Sequence, residues 1–200
     1  MLIIGVSGQT GAGKSTLAQM LSREGLGKNL EVDAIGHQLL VESQTRQRLV
    51  GVFGDDILDE QGQVCRKSLG RKAFQSEATI EKLNSIMHPA MVERVRHEIA
   101  QAKEQGEDFF IVNAALLFSM KLDQLCQRLI YVVTSPEIRL ERLVSNRNWS
   151  EESARERLFA QDELPDGRSD IIIVNNDRTE VELANEAHRV AMLLKGMKRD

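Results

Sequence analysis

The apolar residues of this chain change period along its length. Leu2 to Val6, Phe109 to Asn113, Leu129 to Val133 and Ile171 to Val174 are short, nearly unbroken apolar runs. Such runs suit strands buried on both faces of a parallel sheet. A more polar run from Asn29 to Val32 supplies a fifth. Between them lie longer segments with helical spacing, and helices are expected to begin at Lys14, after Asp33, after Ser76, at Pro89, at Pro136, after Ser150 and after Thr179. Ser150-Glu151-Glu152-Ser153 offers an N-cap with acidic residues in the first turn, and Pro89 and Pro136 suit a first helical position, where the missing N–H costs nothing.

This alternation predicts an α/β fold: a parallel five-stranded sheet flanked by crossover helices. From Ala34 to Gly106 the pattern is mostly helical around a turn region at Gly54 to Gly62, longer than one crossover needs, so a separate helical lobe is expected over 34–106. The core is expected from 1–33, 107–140 and 168–200.

Composition narrows the class. The 200 residues are 42% hydrophobic and 28% charged, in the range of one globular domain with a small inserted lobe. With 26 Lys plus Arg against 30 Asp plus Glu, the net charge of −4 argues against a general nucleic-acid binder, and any anionic ligand must be held by local positive groups. No run approaches a membrane span, and the opening apolar run lacks the basic flank and cleavage site of a secretory leader. Cys65 and Cys126 share no metal-ligand spacing and read as reduced thiols of a soluble, cytoplasmic protein. The apolar stripe of Val181 to Lys198 is expected to pack on the core, although that stripe or Trp149 could serve an interface; the oligomeric state stays open at this level.

The chemistry enters with Gly8-Gln9-Thr10-Gly11-Ala12-Gly13-Lys14-Ser15, a complete G-x-x-x-x-G-K-[ST] match lying directly after an apolar strand and before a helix. Glycines at 8, 11 and 13 let the backbone curl so that N–H groups point inward, and the helix adds its positive end. Phosphates fit such a cradle. ATP is expected against Gly11, Ala12, Gly13, Lys14, Ser15 and Thr16, with Lys14 at the β- and γ-phosphates, Ser15 on Mg²⁺ and Thr16 at the α-phosphate. The fold class is therefore that of the P-loop NTPases.

A phosphate loop alone does not separate kinases from GTPase switches or from proteins that only bind nucleotide. A switch needs N-K-x-D for the base, and Asn175-Asn176-Asp177-Arg178 lacks the lysine. Asp59-Glu60-Gln61-Gly62 matches D-x-x-G but falls in the lobe and reads as a turn. A metabolite kinase needs an acid beside the acceptor hydroxyl and arginines for the transferring phosphoryl group. Asp33, after the second strand, supplies the acid. Arg142 and Arg147, within an arginine-rich stretch that reads as a lid over 141–167, supply the cations. An ATP-dependent kinase for a small metabolite follows, with a nucleotide-binding protein of little catalysis as the alternative.

Beyond the loop, the chain resembles the dephospho-coenzyme A kinase family. The resemblance rests on Phe53-Gly54-Asp55-Asp56-Ile57-Leu58 with Gly62 and Arg66-Lys67-Ser68-Leu69, and on Leu83-Asn84-Ser85-Ile86-Met87-His88-Pro89. Leu116-Leu117-Phe118, Ser135-Pro136-Glu137, Ala160-Gln161 and Asp170 to Asn176 follow in the family's order. The resemblance implies transfer of the γ-phosphoryl group of MgATP to the ribose 3′-hydroxyl of dephospho-coenzyme A, with lobe 34–106 binding the acceptor. It makes Asp33 the base, puts Asn175 beside the adenine, and assigns acceptor contacts to Asp33, His37, His88 and Leu117. The chain departs from the family's pattern at Glu31, Cys65, Ala115, Ser119 and Asn146, which leaves a divergent P-loop kinase for another small metabolite or nucleotide as a second alternative.

Overall fold

A computed structural model describes residues 1–147 and 170–197. The helix expected after Ser150, most of the lid stretch and Trp149 lie outside the described residues. Among the described residues, five strands, β1 (Leu2–Gly8), β2 (Lys28–Glu31), β3 (Phe109–Asn113), β4 (Arg128–Val133) and β5 (Ile171–Asn175), form one sheet in the order β2-β3-β1-β4-β5, with every pairing parallel. The helices are α1 (Lys14–Arg23), α2 (Val32–Leu39), α3 (Ser43–Phe53), α4 (Arg66–Ala73), α5 (Glu77–Glu104), α6 (Pro136–Arg147) and α7 (Glu180–Met197). No helix among them is long and apolar enough to cross a membrane.

The chain divides into two compact units, one of Met1–Glu31 with Ile99–Asp200 and one of Val32–Glu98. The first holds the sheet. Strand residues alternate between its faces, and one face presents Ile4, Val6, Phe109, Ile111, Ile130, Val132 and Val174 to Leu17, Ala18 and Leu21 of α1. Leu183, Ala187, Val190, Ala191 and Leu194 of α7, at helical spacing, join the same core, so the C-terminal stripe is packed inside its own chain. Burying a leucine such as Leu17, Leu21 or Leu194 stabilises the unit by roughly 1.5–3 kcal/mol each.

The second unit contains α2, α3, α4 and most of α5. Leu49, Phe53, Ile57 and Leu69 are buried in it. The Asp59 to Gly62 stretch is a tight turn, as its sequence suggests: Gly62 N–H donates to the Asp59 carbonyl at 2.9 Å, and Asp59 Oδ1 accepts from the N–H groups of Gln61 and Gln63.

Two boundaries differ from the sequence reading. The second strand ends at Glu31, and Val32 and Asp33 open α2, so strand alternation does not relate Glu31 to Asp33. No helix begins at Pro89; α5 runs unbroken through it. Pro89 removes a bond to the carbonyl four residues earlier, on Ser85, and both residues are exposed, so that carbonyl can take water. Met87, Met91, Val95, Ile99 and Ala102 meanwhile continue a buried stripe along the helix.

Candidate active site

Strand β1 lies at the point where the strand order reverses, between β3 and β4, and its carboxyl end runs into the glycine-rich loop. Ligands of open parallel sheets bind at such a switch point. Gly11 and Gly13 both have left-handed backbone, at φ +81° and +92°. A side chain at Gly11 would meet the backbone of Arg139 on α6, and one at Gly13 would meet the side-chain amide of Asn176 at 2.2 Å. Gly13 then caps α1, whose first residues are Lys14, Ser15 and Thr16. Ser15 and Thr16 are exposed at this helix start and Ala12 is fully buried. The positive end of α1 and the loop N–H groups thus form an anion site.

Polar side chains at neighbouring strand ends hold the loop. Asn113, buried at the end of β3, donates from Nδ2 to Ser15 Oγ at 3.3 Å. Thr134 Oγ1 lies 3.1 Å from the Ala12 carbonyl oxygen, and Asn176 Nδ2 donates to that oxygen at 2.8 Å. Arg142 Nη2 donates to the Asn176 carbonyl at 3.0 Å, and Nη1 to the Gly11 carbonyl at 3.5 Å. Asp177 Oδ1 accepts from Ser135 N–H at 2.6 Å, a bond that holds its carboxyl below the usual carboxylate value. Arg139 is buried beside the loop, its Nε and Nη1 without hydrogen-bond partners among the described residues, and desolvation pulls its guanidinium below its ordinary value.

The sheet unit therefore brings together Gly11, Ala12, Gly13, Lys14, Ser15, Thr16 and Arg142. Asn175 is exposed, receives the Asp177 N–H at 2.9 Å, and lines an open cleft of about 770 Å³ with Asp177, Arg178, Thr179 and Arg189. Arg147 closes α6, and its side chain lies outside the described residues. In the second unit, Asp33 stands in the first turn of α2 and His37 in the last, both exposed and four residues apart on one helix face. His88 is half-buried on α5. Leu117 is fully buried, and its Cδ2 packs against Gly5 of β1.

Asn113, Thr134 and Asn176 were visible in the sequence only as polar residues at strand ends. The five strands place them around the loop, and their burial separates them from solvated loop residues.

This fold and this loop define a nucleotide-binding protein of the P-loop class. The architecture matches a crystal structure of TT1252 from Thermus thermophilus with a TM-score of 0.79, at 22% identity over 96% of each chain. A dephospho-CoA kinase structure from Campylobacter jejuni matches with a TM-score of 0.64, at 21% identity over 95% of each chain. The chain belongs to the dephospho-CoA kinase family, whose model matches residues 2–180. Curated dephospho-CoA kinases of Corynebacterium efficiens and Corynebacterium diphtheriae are 34% and 36% identical to it, over 99% and 90% of this chain and 100% and 92% of theirs. It is accordingly an ATP-using kinase with a small-molecule acceptor, converting dephospho-CoA to CoA.

Proposed function

We propose that the chain transfers the γ-phosphoryl group of ATP to the ribose 3′-hydroxyl of dephospho-CoA, in the cytoplasm. The observation that carries this is the complete loop Gly8–Ser15, bent through left-handed glycines into the start of α1 at the sheet's switch point. Lys14 draws charge from the β- and γ-phosphates, and Thr16 donates to the α-phosphate. Asn175, exposed on the open cleft, receives the adenine.

Asp33 accepts the proton of the 3′-hydroxyl. The ribose oxygen forms a bond to the γ-phosphorus as the bond to the β–γ bridging oxygen breaks, and ADP leaves. Support comes from the exposure of Asp33, two residues beyond the carboxyl end of β2, with His37 on the same helix face as an acceptor contact. His88, from the second unit, is a further acceptor contact, and the helical unit Val32–Glu98 is the acceptor-binding lobe. Arg142 and Arg147, from the stretch leading into the lid, neutralise the transferring group.

Mg²⁺ would supply charge neutralisation across the β- and γ-phosphates. The residues present fit it: Ser15 offers a hard oxygen, its hydroxyl oriented by Asn113, and Mg²⁺ in such sites takes its other ligands from phosphate and water. Phosphorus NMR of the product is the test. A new monoester resonance coupled to the ribose 3′-proton, absent when EDTA is added, is expected; phosphorylation at another hydroxyl, or transfer that survives EDTA, would contradict the proposal.

A further inference from the structure

We propose that Asn176 is a positioning residue for phosphoryl transfer: its side-chain amide holds the Ala12–Gly13 peptide in the orientation that turns the Gly13 N–H into the phosphate cradle. This rests on the reading of Gly8–Ser15 as that cradle. In a trans peptide the carbonyl and the following N–H point in opposite directions. The Ala12 carbonyl points away from the loop's concave side, into a buried pocket of donors formed by Asn176 and Thr134. The Gly13 N–H is thereby aimed the other way, at the bound phosphates.

The two donors are unequal. Thr134 has one hydroxyl proton and three acceptors within reach, the carbonyls of Val133 at 2.8 Å, Ala12 at 3.1 Å and Asn176 at 3.3 Å. The amide of Asn176 donates to Ala12 at the shorter distance, 2.8 Å. Asn176 is itself fixed at its carbonyl by Arg142, and it is only 6% exposed. Its amide also packs where a Gly13 side chain would stand, which accounts for glycine at that position beyond the backbone angle alone. Without the donor, the Ala12 carbonyl is buried and underpaired, and the peptide regains a partner by turning, which withdraws the Gly13 N–H from the cradle.

The test is calorimetric titration with inorganic tripolyphosphate and with ATP, alongside steady-state kinetics and thermal unfolding. Asn176→Ala is expected to weaken both ligands about tenfold, the loss of one hydrogen bond to a charged group, and to raise KM for ATP while KM for dephospho-CoA stays unchanged. Asn176→Asp keeps the volume and replaces the donor by an acceptor. It is expected to bind more weakly still at pH 8, and to recover relative to wild type as the pH falls and the introduced carboxyl gains a proton to donate. If Asn176→Ala does not fold, the isosteric Asn176→Asp and Thr134→Val carry the test, with a smaller loss for the latter. Folded variants that bind tripolyphosphate as wild type does overturn the inference alone. Wild-type protein that binds neither ligand overturns the cradle reading with it.

Discussion

The side-chain amide of Asn176 donates to the carbonyl of Ala12 at 2.8 Å, tying the end of the fifth strand to the phosphate loop. Two segments far apart in sequence thus meet at the glycine-rich loop. The neighbouring Asn175 is exposed, and although both asparagines line the open cleft, it is the amide of Asn176 that is buried against the loop.

Lys14→Ala is expected to reduce phosphoryl transfer below detection while leaving the unfolding transition in place. Lys14 heads α1 and is absent from the buried core, so its loss removes charge from the transition state and little packing. Circular dichroism and a turnover assay on the same preparation check this. An unfolded variant, or one with undiminished turnover, would remove the loop from the chemistry.

Asp33→Asn is expected to lower kcat by roughly 10²-fold or more, with ATP affinity nearly unchanged, because an amide cannot accept the hydroxyl proton. Glu31→Gln is expected to act mainly on KM for the acceptor. Glu31 ends β2 whereas Asp33 belongs to α2, so the two carboxylates are set by different elements. Kinetics with each substrate varied separately distinguishes them. The reverse pattern would make Glu31 the base.

The two thiols should react in sequence. Cys65 precedes α4, where the Ser68 hydroxyl and the N–H groups of Ser68 and Lys67 stabilise the thiolate and hold its pKa below the ordinary value. Burial, with Asp123 nearby, pushes Cys126 up to about 12. At pH 8, iodoacetamide is expected to label Cys65 first and to spare Cys126 until the protein unfolds. Peptide mass spectrometry over a time course reads the order, and equal labelling rates would contradict it.

Asp177 gives a pH dependence with a defined sign. Its carboxyl titrates lower in the folded chain than the ordinary 3.8, chiefly through the Ser135 N–H, so its stabilisation is present above that value and is lost as pH falls through the folded one. Asp177→Ala should therefore melt below wild type at pH 7, and the gap should close below about pH 4. A gap that widens on acidification would contradict the bond's role.

The glycine loop was legible in the sequence because tight backbone turns and close approach admit few other residues, so spacing alone carries the chemistry. The strands β1, β3 and β4 were legible for a related reason: burial on both faces demands unbroken apolar runs. Pro89 was not, since a proline reads as a helix start until its exposure and the buried stripe of its helix are known. Asn176 was legible only as one of two adjacent asparagines at the end of the fifth strand, because the sequence does not show which of them is buried against the loop. The burial of Leu117 was not legible either, because sequence order says where a motif lies but not which of its side chains face the core.

The most direct test is a coupled ADP-release assay of the purified chain with MgATP, dephospho-CoA and a panel of nucleosides and small alcohols. The account predicts ADP release that depends on dephospho-CoA and exceeds release with every other acceptor by orders of magnitude in kcat/KM. Equal or greater turnover with another acceptor, or nucleotide binding with no acceptor-dependent release, would contradict it.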